Sequence, residues 1–512
     1  MGTAPAVVAT AAAPRIHKIE VSDFRAFPAT CPGKFDLGET GKNLLIFGEN
    51  GSGKSSLYRA LRGLFSTSPE SIIDSRNVFT QVPQPSVRVC LTGNVPDLTW
   101  DAAGHPTALV RDTARRSAFL TYTRLREMNT GITPNLAPNL FRVAVEHLLA
   151  DFEATVTGGV RKTIAELWTA VGVAVKERKI TAGGPRVLKG SNAKVQAACD
   201  LLDEGMNQAI TALEEQAKPL LTRLLDTIVT DGTELIGLTY FGPQFDGTDR
   251  ENPPEGKLTA TVRFRTHQPV APQNFLNEAR QSALGIAIYL AGRLACVPST
   301  APELKLLVLD DLLISLDASH RYPILAAITE LFVGWQIILL THDRDWFEAA
   351  REKLGPTDAW KAIAIYEAKD GDDLLVPLIR PMTNDPVKDM LDQAEAFLAE
   401  HHPAAAANYA RSACELTLKR YCIRHAVEFP YFEDAKRPDL NTLLDRAKRH
   451  AVATPDRHAS LVGLERHRRY VLNPLSHDPL TPVPEAEVRD AIVAVRLAVT
   501  ACVREPRPRA AP

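Results

Sequence analysis

GENGSGKSSLYRALRGLF, residues 48–65, is the stretch from which the chain is best read. Its first part, Gly48-Glu49-Asn50-Gly51-Ser52-Gly53-Lys54-Ser55, is a complete GxxxxGK[ST] pattern. The apolar run KNLLIF, residues 42–47, precedes it as a buried strand would, and a helical segment follows. In that strand, loop and helix order, the backbone N–H groups around Gly48, Asn50, Gly51, Ser52 and Gly53 can cradle phosphates. Lys54 reaches the β- and γ-phosphates, and Ser55, followed by Ser56, faces Mg²⁺. ATP and Mg²⁺ are the expected ligands.

Working outward, 512 residues exceed what one hydrophobic core supports, so two or three structural units are expected. With 45% hydrophobic and 23% charged residues, the chain can bury large cores without metals or disulfides. A formal charge of −2 excludes a protein that is basic throughout, which leaves any nucleic-acid contact to a local face. The seven cysteines form no CxxC pair, which points to a reducing, cytoplasmic setting. No run of about 18 apolar residues occurs, so no membrane span is expected.

Residues 1–14 read as a disordered tail, and residues 15–138 as the first lobe of an α/β head, opening on the alternating strand IHKIEVSDF (16–24). From 139 to 231 helical periodicity predicts an inserted helical segment, too short for a long coiled-coil arm. Residues 232–380 return to strands, among them LKLLVLDD (304–311) and WQIILLTHD (335–343), and 381–386 reads as a linker. Every periodic segment in 387–505 is helical, which predicts an all-α bundle.

LLVLDD ends a buried strand on Asp310, where a carboxylate facing Mg²⁺ belongs, and the adjacent Asp311 is placed to orient or deprotonate the attacking water. Together with Ser315-Leu316-Asp317 and Thr341-His342-Asp343, these residues resemble the Walker B, D-loop and switch-histidine series of ABC-type ATPases in the SMC-like group. The resemblance implies two heads sandwiching two ATPs, hence a homodimer or higher oligomer, with a signature element from each head completing its mate's site. The matching element is Leu276-Asn277-Glu278-Ala279-Arg280-Gln281, opening a helix whose N-terminal dipole favours a γ-phosphate. Here the group's LSGG has become LNEA, with Asn277 in place of serine. This departure points to slow hydrolysis or to ATP acting as a dimer clamp. A second departure is the expected Q-loop position, Thr121-Tyr122-Thr123-Arg124, which carries no glutamine.

In the C-terminal segment, Arg411 and Glu415 lie four apart on one helix face, and Asn473-Pro474-Leu475-Ser476-His477 precedes the final helix. An R-x3-E helix and an N-x3-H element in a small helical domain behind an SMC-like ATPase resemble the HEPN-type domains of the PrrC and RloC anticodon nucleases. That resemblance implies a metal-independent RNase acting on tRNA in bacterial anti-phage defence. His477 would move the ribose 2′-OH or leaving-group proton, Arg411 would brace the phosphorane, and Glu415 would orient Arg411 or share the proton work. The segment 436–470 is rich in basic groups and offers an RNA-binding face. Tyr409 and Tyr470 read as core-packing residues, with base stacking the alternative. Two rival readings stay open: an ATPase subunit of a two-gene, Septu-like system whose bundle docks a separate nuclease, and a DNA repair or maintenance ATPase.

Overall fold

The computed structural model describes residues 13–503 apart from 67–68, 94, 122–124, 126–138, 178–188, 218–221, 224–232, 246–251, 265–266, 271–275, 297–302, 313–317, 355–358, 371–373, 383–384, 430–438 and 479. The chain divides into two compact units, Met1–Leu354 with Asp358–Pro381, and Gly355–Thr357 with Met382–Pro512. The first twelve residues of the expected tail lie outside the described residues.

The first unit opens with β1 (Ile16–Ser22), β2 (Gly33–Asp36), β3 (Asn43–Gly48), β4 (Ser86–Leu91), β5 (Leu98–Asp101) and β6 (Ser117–Thr121). A hairpin of β7 (Glu153–Val156) and β8 (Val160–Thr163) follows, then β9 (Thr233–Phe241), β10 (Lys257–Phe264) and β11 (His267–Val270). The unit closes with β12 (Leu306–Asp310), β13 (Gln336–Thr341), β14 (Trp360–Asp370) and β15 (Leu374–Met382). The central sheet has six strands in the order β15-β14-β3-β13-β12-β6. From β14 to β6 its pairs are parallel. Strands buried on both faces need continuous apolar runs, and β12 and β13 are buried at every residue. Parallel pairing puts the C-terminal ends of β3, β12 and β13 at one edge of the sheet. The loops that leave that edge carry Gly48, Asp311 and His342.

A second, antiparallel sheet, β2-β1-β4-β5, shares a core with the helix Lys54–Leu64 through Ile19, Val21, Phe35, Val89, Leu57 and Leu61. Gln336 fastens the two sheets: its amide accepts from the Ile16 N–H at 2.7 Å and donates to the Ile16 carbonyl at 2.7 Å. This side chain is fully buried with both ends of its amide bonded, so it incurs no desolvation penalty for an unmade bond.

The segment 139–231, expected to be helical, also holds the β7-β8 hairpin, which corrects that expectation. Gly158 and Gly159 take φ of +90° and +73°, a left-handed turn open to glycine, and Ala154 and Val156 alternate inward from it. A helix then restarts at Ile164. The Thr163 side chain accepts from the Glu166 N–H and the Glu166 carboxylate accepts from the Thr163 N–H, a reciprocal cap.

The second unit is helical: Pro386–Ala399, Pro403–Arg424, Leu440–Ala451, Pro455–His467, the short Asn473–His477, and Glu485–Val503. Three of these helices begin with proline, whose missing N–H costs nothing at the first helical position. Asp385 and Asp439 cap two of them by accepting backbone N–H bonds. Fully buried Ala406, Ala407, Ala410 and Ala413 line one face of Pro403–Arg424, where small side chains let neighbouring helices approach closely. Among the described residues no helix is long and apolar enough to cross a membrane. All seven cysteines are unbridged.

Candidate functional site

The loop after β3 bends through Gly51 and Gly53, at φ of +91° and +102°, a backbone that side chains rarely adopt. Gly48 has a different reason. A Cβ there would stand 2.3 Å from Ser52 Oγ and 2.9 Å from the Ile365 carbonyl, so only glycine lets the loop sit this close to β14. Lys54 opens the helix and is buried. Its ammonium donates to the carbonyls of Gly48 at 2.6 Å and Glu49 at 2.9 Å. Burial lowers its pKa, opposed by Asp311, Asp310 and Glu49. The exposed Asn50 lies at the loop's crest, and Ser56 accepts the Ala26 N–H at 3.4 Å.

Asp310, the last residue of β12, stands opposite the loop and accepts from the Ser55 hydroxyl at 3.2 Å. Among the described residues its second oxygen, Oδ1, is buried without a hydrogen-bond partner, and so is Ser52 Oγ. Burial first, and then the neighbouring Asp311, push the Asp310 carboxyl up to about 6. An unsatisfied carboxylate oxygen beside a hydroxyl suits a hard cation that takes oxygen ligands, so Ser55 and Asp310 fit Mg²⁺. The loop's free helix N-terminus and Lys54 fit phosphates.

Asp311 takes the left-handed conformation, φ +52°, and its N–H donates to the Leu340 carbonyl at 3.0 Å. Thus held, its Oδ1 accepts the His342 N–H at 2.9 Å and lies 3.0 Å from His342 Nδ1. Asp343 accepts the Trp346 N–H and pairs with Arg321, starting the next helix. One edge of the sheet therefore gathers Lys54, Ser55, Asp310, Asp311 and His342.

Asn277 caps the helix Glu278–Ala295, its Oδ1 accepting the Arg280 N–H at 3.0 Å, while Gln281 donates back to the Leu276 carbonyl at 2.7 Å. Glu278 and Ala279 form its first turn. Ser315-Leu316-Asp317 and Tyr122-Thr123-Arg124 lie outside the described residues. Thr121, next to the latter, ends β6 in register with Asp310.

In the helical unit the Arg411 Nε donates to Glu415 at 3.0 Å, and its Nη1 donates to the Ser476 hydroxyl. Ser476 in turn donates to the Asn473 carbonyl at 2.8 Å, and among the described residues Asn473 Oδ1 is buried without a partner. Arg411, Glu415 and the short helix that ends on His477 are thus drawn together across 65 residues of sequence. No local pattern in the sequence marks Ser476 as the serine that a distant arginine reaches.

Two expectations for this unit need correction. Within the basic segment, Arg457 is buried, and Lys448 pairs with Asp445 and Glu465, so part of its charge is already neutralised internally. Tyr409 and Tyr470, expected to pack in the core, are 40% and 56% exposed because each falls on the outer face of its helix or turn. Tyr409 leans on Phe397, and Arg469 lies over Tyr470.

Residues 34–130 match the family model described as ABC transporter, so the chain carries an ABC-type ATPase domain. No curated protein matches the chain. Similar solved structures include an SMC head bound to the C-winged helix domain of ScpA, at 12% identity and a TM-score of 0.40, covering 72% of this chain and 98% of that one. Another is an SMC head with an extended coiled coil bound to the C-terminal domain of ScpA, derived from Pyrococcus furiosus. It has 14% identity and a TM-score of 0.40, covering 76% of this chain and 99% of that one.

Proposed function

We propose that the chain is an ATP-binding and ATP-hydrolysing SMC-like head that controls a metal-independent RNase in its own helical unit, acting on tRNA in bacterial anti-phage defence. The observation that carries the reading is the presence in one chain of two separate polar constellations. One is Lys54, Ser55, Asp310, Asp311 and His342; the other is Arg411 and Glu415 drawn to the helix that ends on His477.

At the first constellation, ATP exchanges the contacts of Lys54 with the Gly48 and Glu49 carbonyls for contacts with phosphate oxygens. Ser55 and Asp310 would hold Mg²⁺, which would supply positive charge against the phosphate oxygens. Asp311, fixed by the backbone of Leu340 and His342, orients the water and accepts its proton as the water oxygen bonds to the γ-phosphorus and the β,γ-bridging P–O bond breaks to release ADP, and His342 Nδ1 steadies the carboxylate. Asn277, Glu278, Ala279 and Asp317 serve the site of a second copy. The two heads thereby form a homodimer when ATP is bound.

At the second, His477 takes the proton of the ribose 2′-OH as its oxygen attacks the adjacent phosphorus, the bond to the 5′-oxygen breaks, and that oxygen leaves as a 5′-hydroxyl by taking a proton from solvent. Arg411 braces the pentavalent charge while Glu415 holds the guanidinium by its Nε. DNA lacks the nucleophile and is left intact. Incubating the protein with total tRNA, with and without ATP, is expected to give fragments ending in 2′,3′-cyclic phosphate. Intact tRNA under both conditions, together with a copurifying nuclease, would instead favour the docking role for the helical unit.

Lys54→Ala removes a charge-assisted phosphate contact of about 1.5–3 kcal/mol, so ATP affinity by calorimetry is expected to fall roughly 10- to 150-fold. Unchanged affinity would remove the loop from the nucleotide site.

A further inference from the structure

Elsewhere in the helical unit, three helices converge on two imidazoles. Tyr421 lies in the last turn of Pro403–Arg424 and His425 caps that helix, His450 lies in the last turn of Leu440–Ala451, and Arg457 in the first turn of Pro455–His467. The Tyr421 hydroxyl meets His450 Nδ1 at 2.8 Å. Ring centroids stand 4.6 Å apart for Tyr421 and His425, and 5.3 Å for His425 and His450. The Arg457 guanidinium lies 5.3 Å from the centre of the Tyr421 ring, and its Nε donates to the Ala501 carbonyl at 2.9 Å, which anchors it to the last helix. Tyr421 and Arg457 are buried, His425 is half-buried and His450 is exposed. A buried floor of phenol and guanidinium thus carries two imidazoles at the surface.

Packing alone does not ask for this composition, since a leucine or phenylalanine would fill the same space without charge. Burial raises the Tyr421 pKa, which keeps the phenol protonated. By engaging His450 at Nδ1, it leaves Nε2 for a ligand. Every influence on His425 favours its neutral form: burial, then Arg457, His450 and Arg424. Cationic groups brought together in this way cost the free protein stability, and a bound anion would reverse the sign of each interaction.

We propose that Tyr421, His425, His450 and Arg457 form a binding site for a phosphate group, with the exposed Arg424 at its rim. His425 and His450 donate ring N–H bonds to the phosphate oxygens. Tyr421 sets the orientation of His450, and Arg457 supplies a fixed positive charge from below. The site is separate from Arg411 and Glu415 and does not depend on the nuclease reading.

His425 has a folded pKa below its ordinary 6.5, so without phosphate the fold loses stability as pH falls through that value. Phosphate favours the protonated imidazole of His425 and therefore raises its titration on binding.

The test is NMR of the full-length protein carrying ring-labelled histidine, with the two signals assigned by their loss in His425→Gln and His450→Gln. Inorganic phosphate is expected to move both signals and to raise the titration midpoint of His425. His450→Gln, whose side-chain amide can still engage the buried Tyr421 hydroxyl, is expected to weaken phosphate affinity read on His425 about tenfold. Signals that do not move, or that move equally in chloride at matched ionic strength, would overturn the proposal. Titration with a uridine oligonucleotide lacking terminal phosphates separates the sources. If the same signals move, the ligand is a nucleic-acid backbone; if inorganic phosphate alone moves them, it is a free phosphate group.

Discussion

Asp310→Asn is expected to make the ligand-free head more stable while abolishing its ATP turnover. The Asp310 carboxyl is buried beside Asp311 with one oxygen unpaired, and its pKa is pushed from 3.8 up to about 6. The folded state is therefore penalised, relative to the unfolded chain, as pH rises from near 4 through 6, and the penalty is complete above that. Removing the charge relieves on the order of 1–3 kcal/mol at neutral pH, and the gain should vanish near pH 4. Asparagine keeps the bond from the Ser55 hydroxyl but brings no negative charge to Mg²⁺, so hydrolysis should fall by about 10²-fold or more. Paired thermal melts at pH 4 and pH 7.5 and a phosphate-release assay check both halves. A variant that melts lower than wild type at neutral pH, or that turns over ATP normally, would refute the assignment of this carboxylate.

Arg411→Ala is expected to reduce RNA cleavage by about 10²- to 10³-fold, the usual cost of losing a group that stabilises developing oxyanion charge. ATP affinity should stay at the wild-type value. Arg411 engages Glu415 through Nε and Ser476 through Nη1, a two-pronged geometry that an ammonium cannot reproduce. Arg411→Lys should therefore fail to restore cleavage although it keeps the charge. A purely structural role for Arg411 predicts lower stability and rescue by lysine in proportion to recovered melting temperature. Mapping cleavage products on the same tRNA with both variants separates these outcomes.

How much could be read from residue order depended on the range of the interaction. The strand before Gly48, the helix starting at Lys54 and the carboxylate closing β12 all arise from patterns within a few residues, and each lies where its pattern directs. Helical periodicity runs into the β7-β8 hairpin because Val145, Leu149, Phe152 and Val156 recur at three- and four-residue spacing, which carries a helical stripe past the point where the strand begins. The left-handed turn at Gly158 and Gly159 settled which one formed. Residue type alone points Tyr409 and Tyr470 inward, but the orientation of each helix or turn decides which face meets solvent.

The amino-acid order determined by itself the phosphate loop, its strand and its helix, because glycine φ preferences, apolar runs and helix starts act over a handful of neighbouring residues. Tertiary packing alone decided that Asp311 would grip His342, that Arg411 would reach Ser476 across 65 positions, and that Tyr421, His425, His450 and Arg457 would meet. These contacts join elements far apart along the chain. Their geometry follows from how buried faces interlock, which the periodicity of any one segment does not encode.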